Sequence, residues 1–237
     1  MAERPLPGGA LALALCLCAV FGMLSASAWH GDVLAVDRRV QHIIHEWRRP
    51  ALDFGMRILS ELGSGRVLIP LNMAVVYVLW HRRYRHVLLV PLLGVAGVTI
   101  EALTKWVVHR PRPKNVGYGF PSGHVFGAVV VFGLLAYLWW RSHHARRWRL
   151  AGVATAAVAV VGVALSRLYF NAHWLSDVLG GLAGGLAMLM VAVLSLGPRL
   201  CARFSLPAPH HPRGRAAIRA AMADPAMAAQ AAAKATR

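Results

Sequence analysis

Six apolar stretches, each near the length needed to cross a bilayer, run through this chain of 237 residues. They cover approximately 9–28, 64–80, 86–104, 124–140, 150–166 and 178–197. Their apolar residues are continuous rather than alternating, and backbone groups in hydrocarbon must be satisfied within the segment, so each is predicted to be a helix. The expected fold is all-α: a polytopic membrane bundle of about six transmembrane helices. Composition agrees, with 57% hydrophobic residues and only 15% charged. The second stretch is short on its own. It is predicted to extend back through Leu52–Leu62, with Gly63-Ser64-Gly65 as a bend.

Residues 1–206 read as one membrane domain and 207–237 as an Ala-rich basic cytoplasmic tail, expected to be disordered apart from a marginal helix near Arg215–Met222. Ala26-Ser27-Ala28 resembles a signal-peptidase site, but the apolar run before it is longer than a usual signal core, so an uncleaved helix is expected. The three cysteines, Cys16, Cys18 and Cys201, lack the spacing of a disulfide framework or a zinc site. All eight tryptophans fall at or near segment ends, where amphipathic rings meet headgroups.

A net charge of +17 would suggest nucleic acid in a soluble protein. Here the cations cluster between apolar segments, at Arg82, Arg83 and Arg85, at Arg141, Arg146, Arg147 and Arg149, and in the tail. That is the pattern of cytoplasmic loops, so no nucleic-acid partner is expected. Counting crossings then places the loops after segments one, three and five on the opposite, periplasmic or exterior face. The first of these loops contains Val40, Ile43, Ile44 and Trp47 at i, i+3, i+4 and i+7, with Asp37 placed to cap. It is predicted to be a short amphipathic helix in the interface plane, on the same side as the polar motifs.

Three such motifs stand at segment ends. The first is Lys105-x6-Arg112-Pro113. Residues before proline favour extended backbone, so Arg110 and Arg112 should lie on a stiff strip with diverging side chains. Arg112 is expected to face the site, and Arg110, His109 and Lys114 to face headgroups or water. Glu101, one turn before Lys105, is in the favourable order to hold it. A snorkelling cationic rim is the plainer reading of these residues.

The second motif is Pro121-Ser122-Gly123-His124. It reads as a helix start whose glycine permits close approach of a ligand and whose N-terminus favours an anion. His124 beside that anion could protonate a departing oxygen. The plainer reading is a capped helix after a turn.

The third is Ser166-Arg167-x5-His173-x3-Asp177. His173 and Asp177 share a helix face at i, i+4 spacing, so the carboxylate can fix the tautomer of a nucleophilic imidazole. An interfacial histidine beside a helix-capping aspartate is the alternative. His124, His173 and Asp177 could also compose a metal set, but three surrounding cations argue against one, and no metal or other cofactor is expected.

Together the motifs, their order and the six-segment layout resemble the type 2 phosphatidic acid phosphatase superfamily, membrane lipid phosphatases related to vanadium haloperoxidases. The stretch SRLYFNAHWLSDVLGG over 166–181 is especially similar to bacterial members. The resemblance implies that Lys105, Arg112 and Arg167 hold phosphoryl oxygens, with Ser122 and the Gly123 backbone adding hydrogen bonds. His173 would form a phosphohistidine, Asp177 would orient it, and His124 would protonate the leaving group and later assist water. Ser166 belongs to the motif without an assigned role. The family works without a metal.

The expected function is hydrolysis of a lipid phosphate or diphosphate in a bacterial inner membrane, with undecaprenyl diphosphate favoured by family analogy. Phosphatidate, phosphatidylglycerophosphate and lipid A phosphates are the alternatives. An anion or lipid transporter, or a lipid-binding protein, would use the same cations but would not need His173 opposite His124.

Overall fold

A computed structural model of the chain describes residues 8–31, 33–81, 87–114, 117–142 and 145–204, with side chains as far as residue 194. The basic loop Arg82–Arg85 and the tail from Pro207 lie outside the described residues. Eight helices follow in order: α1 Gly8–Trp29, α2 Ala35–Trp47, α3 Pro50–Leu62, α4 Gly65–His81, α5 Leu89–Val108, α6 Gly123–Ser142, α7 Arg146–Tyr169 and α8 Leu175–Phe204.

Five helices, α1, α5, α6, α7 and the first 20 residues of α8, are long and apolar enough to cross a membrane. The bent pair α3 and α4, which meet at 43°, brings the number to six when counted as one broken span. The break falls at Gly63-Ser64, as the sequence suggested. Gly63 is needed there because a Cβ would lie 2.6 Å from Val163 Cγ1 and 2.9 Å from the His124 carbonyl. The bend therefore carries the end of α3 onto α6 and α7.

Helix α6 is the hub, packing against α4, α5, α7 and α8. Its contact with α8 is close because Gly181 and Gly185 face it. A Cβ on Gly181 would stand 2.7 Å from the Ser122 carbonyl, and one on Gly185 2.9 Å from Val129 Cβ. Small residues let helix backbones approach where hydrocarbon offers no hydrophobic drive to association. The buried residues Val125, Ala128, Val129, Val163, Ala164 and Val178 fill the junction of α6, α7 and α8. A second cluster of Val75, Leu79, Val90 and Leu134 joins α4, α5 and α6 towards the other end.

The amphipathic helix forms as α2. The Leu34 N–H donates to Asp37 Oδ2 at 3.2 Å, so Asp37 closes its N-terminus. Its apolar face remains open, with Val36, Ile43 and Trp47 exposed, as suits a helix resting in an interface. Gln41 Nε2 donates to Asn171 Oδ1 at 2.7 Å and fastens α2 to the turn between α7 and α8.

Candidate active site

The three motif-bearing loops meet at one end of the bundle. The basic residues Arg141, Arg146, Arg147 and Arg149 flank the far ends of α6 and α7. The 20 residues of α6 separate them from the motifs by about 30 Å at 1.5 Å per residue.

Helix α5 ends on His109, whose left-handed φ of 52° turns the chain while its N–H bonds to the Lys105 carbonyl. Pro111 and Pro113 hold the next residues extended, and the side chains diverge. Arg112 points towards the bundle cavity, with Nε donating to the Tyr118 carbonyl at 3.0 Å. His109 and Lys114 are exposed, as expected.

Arg110 departs from expectation. It does not face headgroups or water but is 2% exposed. Its Nη1 donates to Ser176 Oγ at 2.6 Å and to Asp177 Oδ1 at 3.0 Å, and its Nη2 donates to Asp37 Oδ2 at 2.9 Å. A guanidinium is tolerated there because two carboxylates and a hydroxyl replace its water.

The second motif opens α6 at Gly123. The Ser122 N–H donates to the Asp177 carbonyl at 3.0 Å and ties this helix start to α8. Ser122 Oγ is buried without a hydrogen-bond partner among the described residues, so it does not cap the helix in the way its position suggested. Gly123 lies against the Glu101 carboxylate, where any side chain would collide. Glu101 in turn pairs with Lys105.

The third motif occupies the turn after α7. Asn171, at φ 53°, is a residue type that tolerates the left-handed region. Backbone bonds from Phe170 to Ser166 and from Ala172 to Arg167 close the turn. His173 follows, 3% exposed, and α8 begins two residues later. Asp177 Oδ2 accepts the Trp174 N–H at 3.0 Å, which caps α8, and stands 3.5 Å from His173 Nδ1. Asp177 thus serves both readings, helix cap and histidine partner. The histidine contact is longer than an ordinary N–H···O bond. Ser166 Oγ donates to the Val163 carbonyl at 2.6 Å within its own helix. Arg167 Nη1 donates to Ser60 Oγ at 2.7 Å, while its Nε is buried without a partner among the described residues.

A cavity of about 620 Å³ unites these groups. Lys105, Arg112, His124, Arg167 and His173 line its polar end, beside Glu101 and Gly123. Its other end is an apolar groove between α4 and α5, walled by Ile69, Met73, Val95 and Val98. Ser122 and Asp177 stand behind the wall. Burial holds the His173 imidazole below its ordinary pKa, outweighing the pull of the Asp177 carboxylate in the opposite direction. The shift favours the neutral ring, which carries a free lone pair. Among the described residues no three His, Cys, Asp or Glu side chains converge as a metal site.

Sequence reasoning missed Asp37 as more than a cap, and missed Arg110, Ser60 and Ser176 as members of this region. The local signals were weak. Asp37 and Ser176 are 139 residues apart, and Ser60 and Arg167 are 107 apart.

Comparisons with known proteins agree with this architecture. Residues 83–200 match the PAP2 superfamily. The chain is 26% identical over 187 residues to "Phosphatidylglycerophosphatase B" of Bacillus subtilis (strain 168), covering 73% of this chain and 89% of that protein. It is 31% identical over 134 residues to "Putative undecaprenyl-diphosphatase YbjG" of Escherichia coli (strain K12), covering 50% of this chain and 62% of that one. The crystal structure of a transmembrane PAP2 type phosphatidylglycerolphosphate phosphatase from Bacillus subtilis superposes with a TM-score of 0.67 at 26% identity, over 75% of this chain and 92% of that one. With six spans carrying its motifs to one end, the chain belongs to the PAP2 superfamily as a membrane PAP2-type phosphatase.

Proposed function

We propose that this protein removes a terminal phosphate from a lipid phosphate or diphosphate through a phosphohistidine on His173. The observation that carries the reading is the two-ended cavity. Three cations and two histidines stand at one end, and an apolar groove between α4 and α5 leads away from them. An amphiphile with a phosphate head and a long tail fits such a space. A soluble phosphate ester gains nothing from the groove.

The roles follow from charge and position. Lys105, Arg112 and Arg167 take the phosphoryl oxygens, and Glu101 steadies Lys105. Ser122 Oγ, which has no partner among the described residues, is available to donate to the same anion, next to the N-terminus of α6. The free nitrogen of His173 attacks phosphorus, and the bond to the leaving oxygen breaks as His124 supplies its proton. Asp177 steadies the positive charge that develops on the His173 ring. Water then attacks phosphorus, His124 takes its proton, the P–N bond breaks and inorganic phosphate leaves. Positioned cations supply most of the catalysis for this chemistry, so no metal is required.

Undecaprenyl diphosphate and phosphatidylglycerophosphate are the two leading substrates, and each is named by one of the relatives above. Both carry a terminal phosphate on a long apolar tail. On this reading the protein works in a bacterial inner membrane with the site facing the periplasm or exterior, where a lipid headgroup at the outer surface can reach His173. The test is phosphate release by purified protein from both lipids, phosphatidate and a short soluble ester such as glucose phosphate. Long-chain lipids should be turned over and the soluble ester poorly. Equal efficiency on the soluble ester would defeat the lipid reading.

A further inference from the structure

We propose that Arg110 and Asp37 are positioning residues for the reaction, holding Asp177 against His173 through a buried chain of charge-assisted hydrogen bonds. The inference rests on the role proposed above for His173. The chain runs from Asp37 Oδ2 to Arg110 Nη2 at 2.9 Å, and from Arg110 Nη1 to Asp177 Oδ1 at 3.0 Å. It ends with Asp177 Oδ2 at 3.5 Å from His173 Nδ1. The side chains of all three charged residues are at most 1% exposed.

Two features set this network apart from an ordinary surface ion pair. The first is its saturation. Asp37 accepts from the Leu34 N–H at 3.2 Å, the Ser176 N–H at 2.8 Å, Ser176 Oγ at 2.7 Å and Arg110. With every acceptor engaged, Asp37 cannot turn, and it fixes the plane of the Arg110 guanidinium. Arg110 then takes Oδ1 of Asp177, while Oδ2 accepts the Trp174 N–H and lies 3.5 Å from His173 Nδ1. The carboxylate is held in one rotamer facing the ring.

The second feature is its charge. Two carboxylates and one guanidinium leave a net single negative charge in an enclosed space beside the His173 ring. That ring gains positive charge as its free nitrogen bonds phosphorus. A fixed negative cluster favours the charged state without having to reorganise when it forms. The cluster also joins elements far apart in sequence. Asp37 comes from α2, whose apolar face is exposed, and Asp177 from α8, so the surface helix is linked to the reacting histidine through Arg110 and Asp177.

The experiment measures kcat and KM on undecaprenyl diphosphate and phosphatidylglycerophosphate for the wild type, Asp37→Asn, Asp177→Asn, the double variant Asp37→Asn with Asp177→Asn, and Arg110→Gln with Asp37→Asn. The last removes both charges of one pair and leaves neither of those two residues as an unpaired ion. Misplacement of a reacting group by a fraction of an ångström supports an expected loss in kcat of about tenfold to hundredfold, with KM within about twofold. In the Asp177→Asn background the further loss from Asp37→Asn should be less than about twofold, because Asp37 acts through the group already removed. Folding is followed by monodispersity and melting temperature. Wild-type kcat in a folded Asp37→Asn variant, or equal losses from Asp37→Asn in both backgrounds, would overturn the proposal. So would failure of all three variants carrying Asp37→Asn to fold while Asp177→Asn folds, since the network would then be structural. A wild-type protein that releases phosphate from none of the lipids defeats the proposed function first, and this inference with it.

Discussion

Arg167 Nη1 donates to Ser60 Oγ across 2.7 Å, joining the motif at the end of α7 to the first half of the bent span. Ser60 is buried, three residues before the Gly63 break. The bend in a membrane helix thus aims one of the proposed phosphate cations. Ser60→Ala should leave Arg167 less well held. A net hydrogen-bond contribution of about 1 kcal/mol corresponds to roughly a fivefold rise in KM with little change in kcat. Steady-state kinetics on a long-chain lipid phosphate checks this, and an unchanged KM would remove Ser60 from the site.

His173→Ala should lose turnover and any acid-labile phospho-enzyme while the protein remains folded. Asp177→Asn should be milder in chemistry, because orientation is weakened but the nucleophile remains. It should also lower the melting temperature. Asp177 caps α8 and pairs with Arg110, and removing one partner of a buried pair typically destabilises by about 3–5 kcal/mol. Trapping with radiolabelled substrate and thermal denaturation separate the two effects.

The lowered pKa of His173 has a definite sign in both activity and stability. Protonation removes the nucleophile, so the limb of kcat/KM assigned to His173 should lie on the acid side of the ordinary histidine value. The folded state binds the proton less readily than the unfolded chain. Stability from this group is therefore present above the unfolded value near 6.5 and is lost as pH falls towards the folded value. Activity profiles and melting curves from pH 5 to 8 test both statements. An acid limb displaced to the alkaline side of 6.5 would contradict the neutral-imidazole assignment.

Activity should survive excess chelator, and vanadate should inhibit by occupying the position of the transferring phosphoryl group. Loss of turnover on chelation, with recovery on adding one divalent ion, would assign the phosphate-binding charge to a metal instead of to Lys105, Arg112 and Arg167.

Orientation is tested with single cysteines in a cysteine-free background. Lys114→Cys lies in the loop with the motifs, and Ser142→Cys at the far end of α6. An impermeant thiol reagent on intact cells should label the first and spare the second. The reverse pattern would place the site in the cytoplasm.

The bent span, the six crossings and the amphipathic α2 were legible in sequence because each depends on local composition and periodicity. The three motifs were legible as sets of residue types that phosphate chemistry would use. The side chains Lys105, Arg112, His124, Arg167 and His173 do line one cavity. Arg110 was misread for a physical reason. A basic residue at a membrane edge ordinarily snorkels to water, and nothing near it in sequence announces that Asp37 and Asp177 will surround it.

Sequence alone therefore determined what each segment is: apolar length makes a spanning helix, proline stiffens the strip after α5, and histidine with aspartate four residues on shares a face. Only the tertiary structure decided which of two neighbouring arginines enters the cavity and which is buried, that Asp37 reaches α8, and that the groove between α4 and α5 opens onto the cationic end of the cavity. Periodicity specifies a helix face within one element. The partner that satisfies a buried charge is set by packing between elements, here through Gly63, Gly181 and Gly185, where the absence of a side chain lets the backbones close to contact.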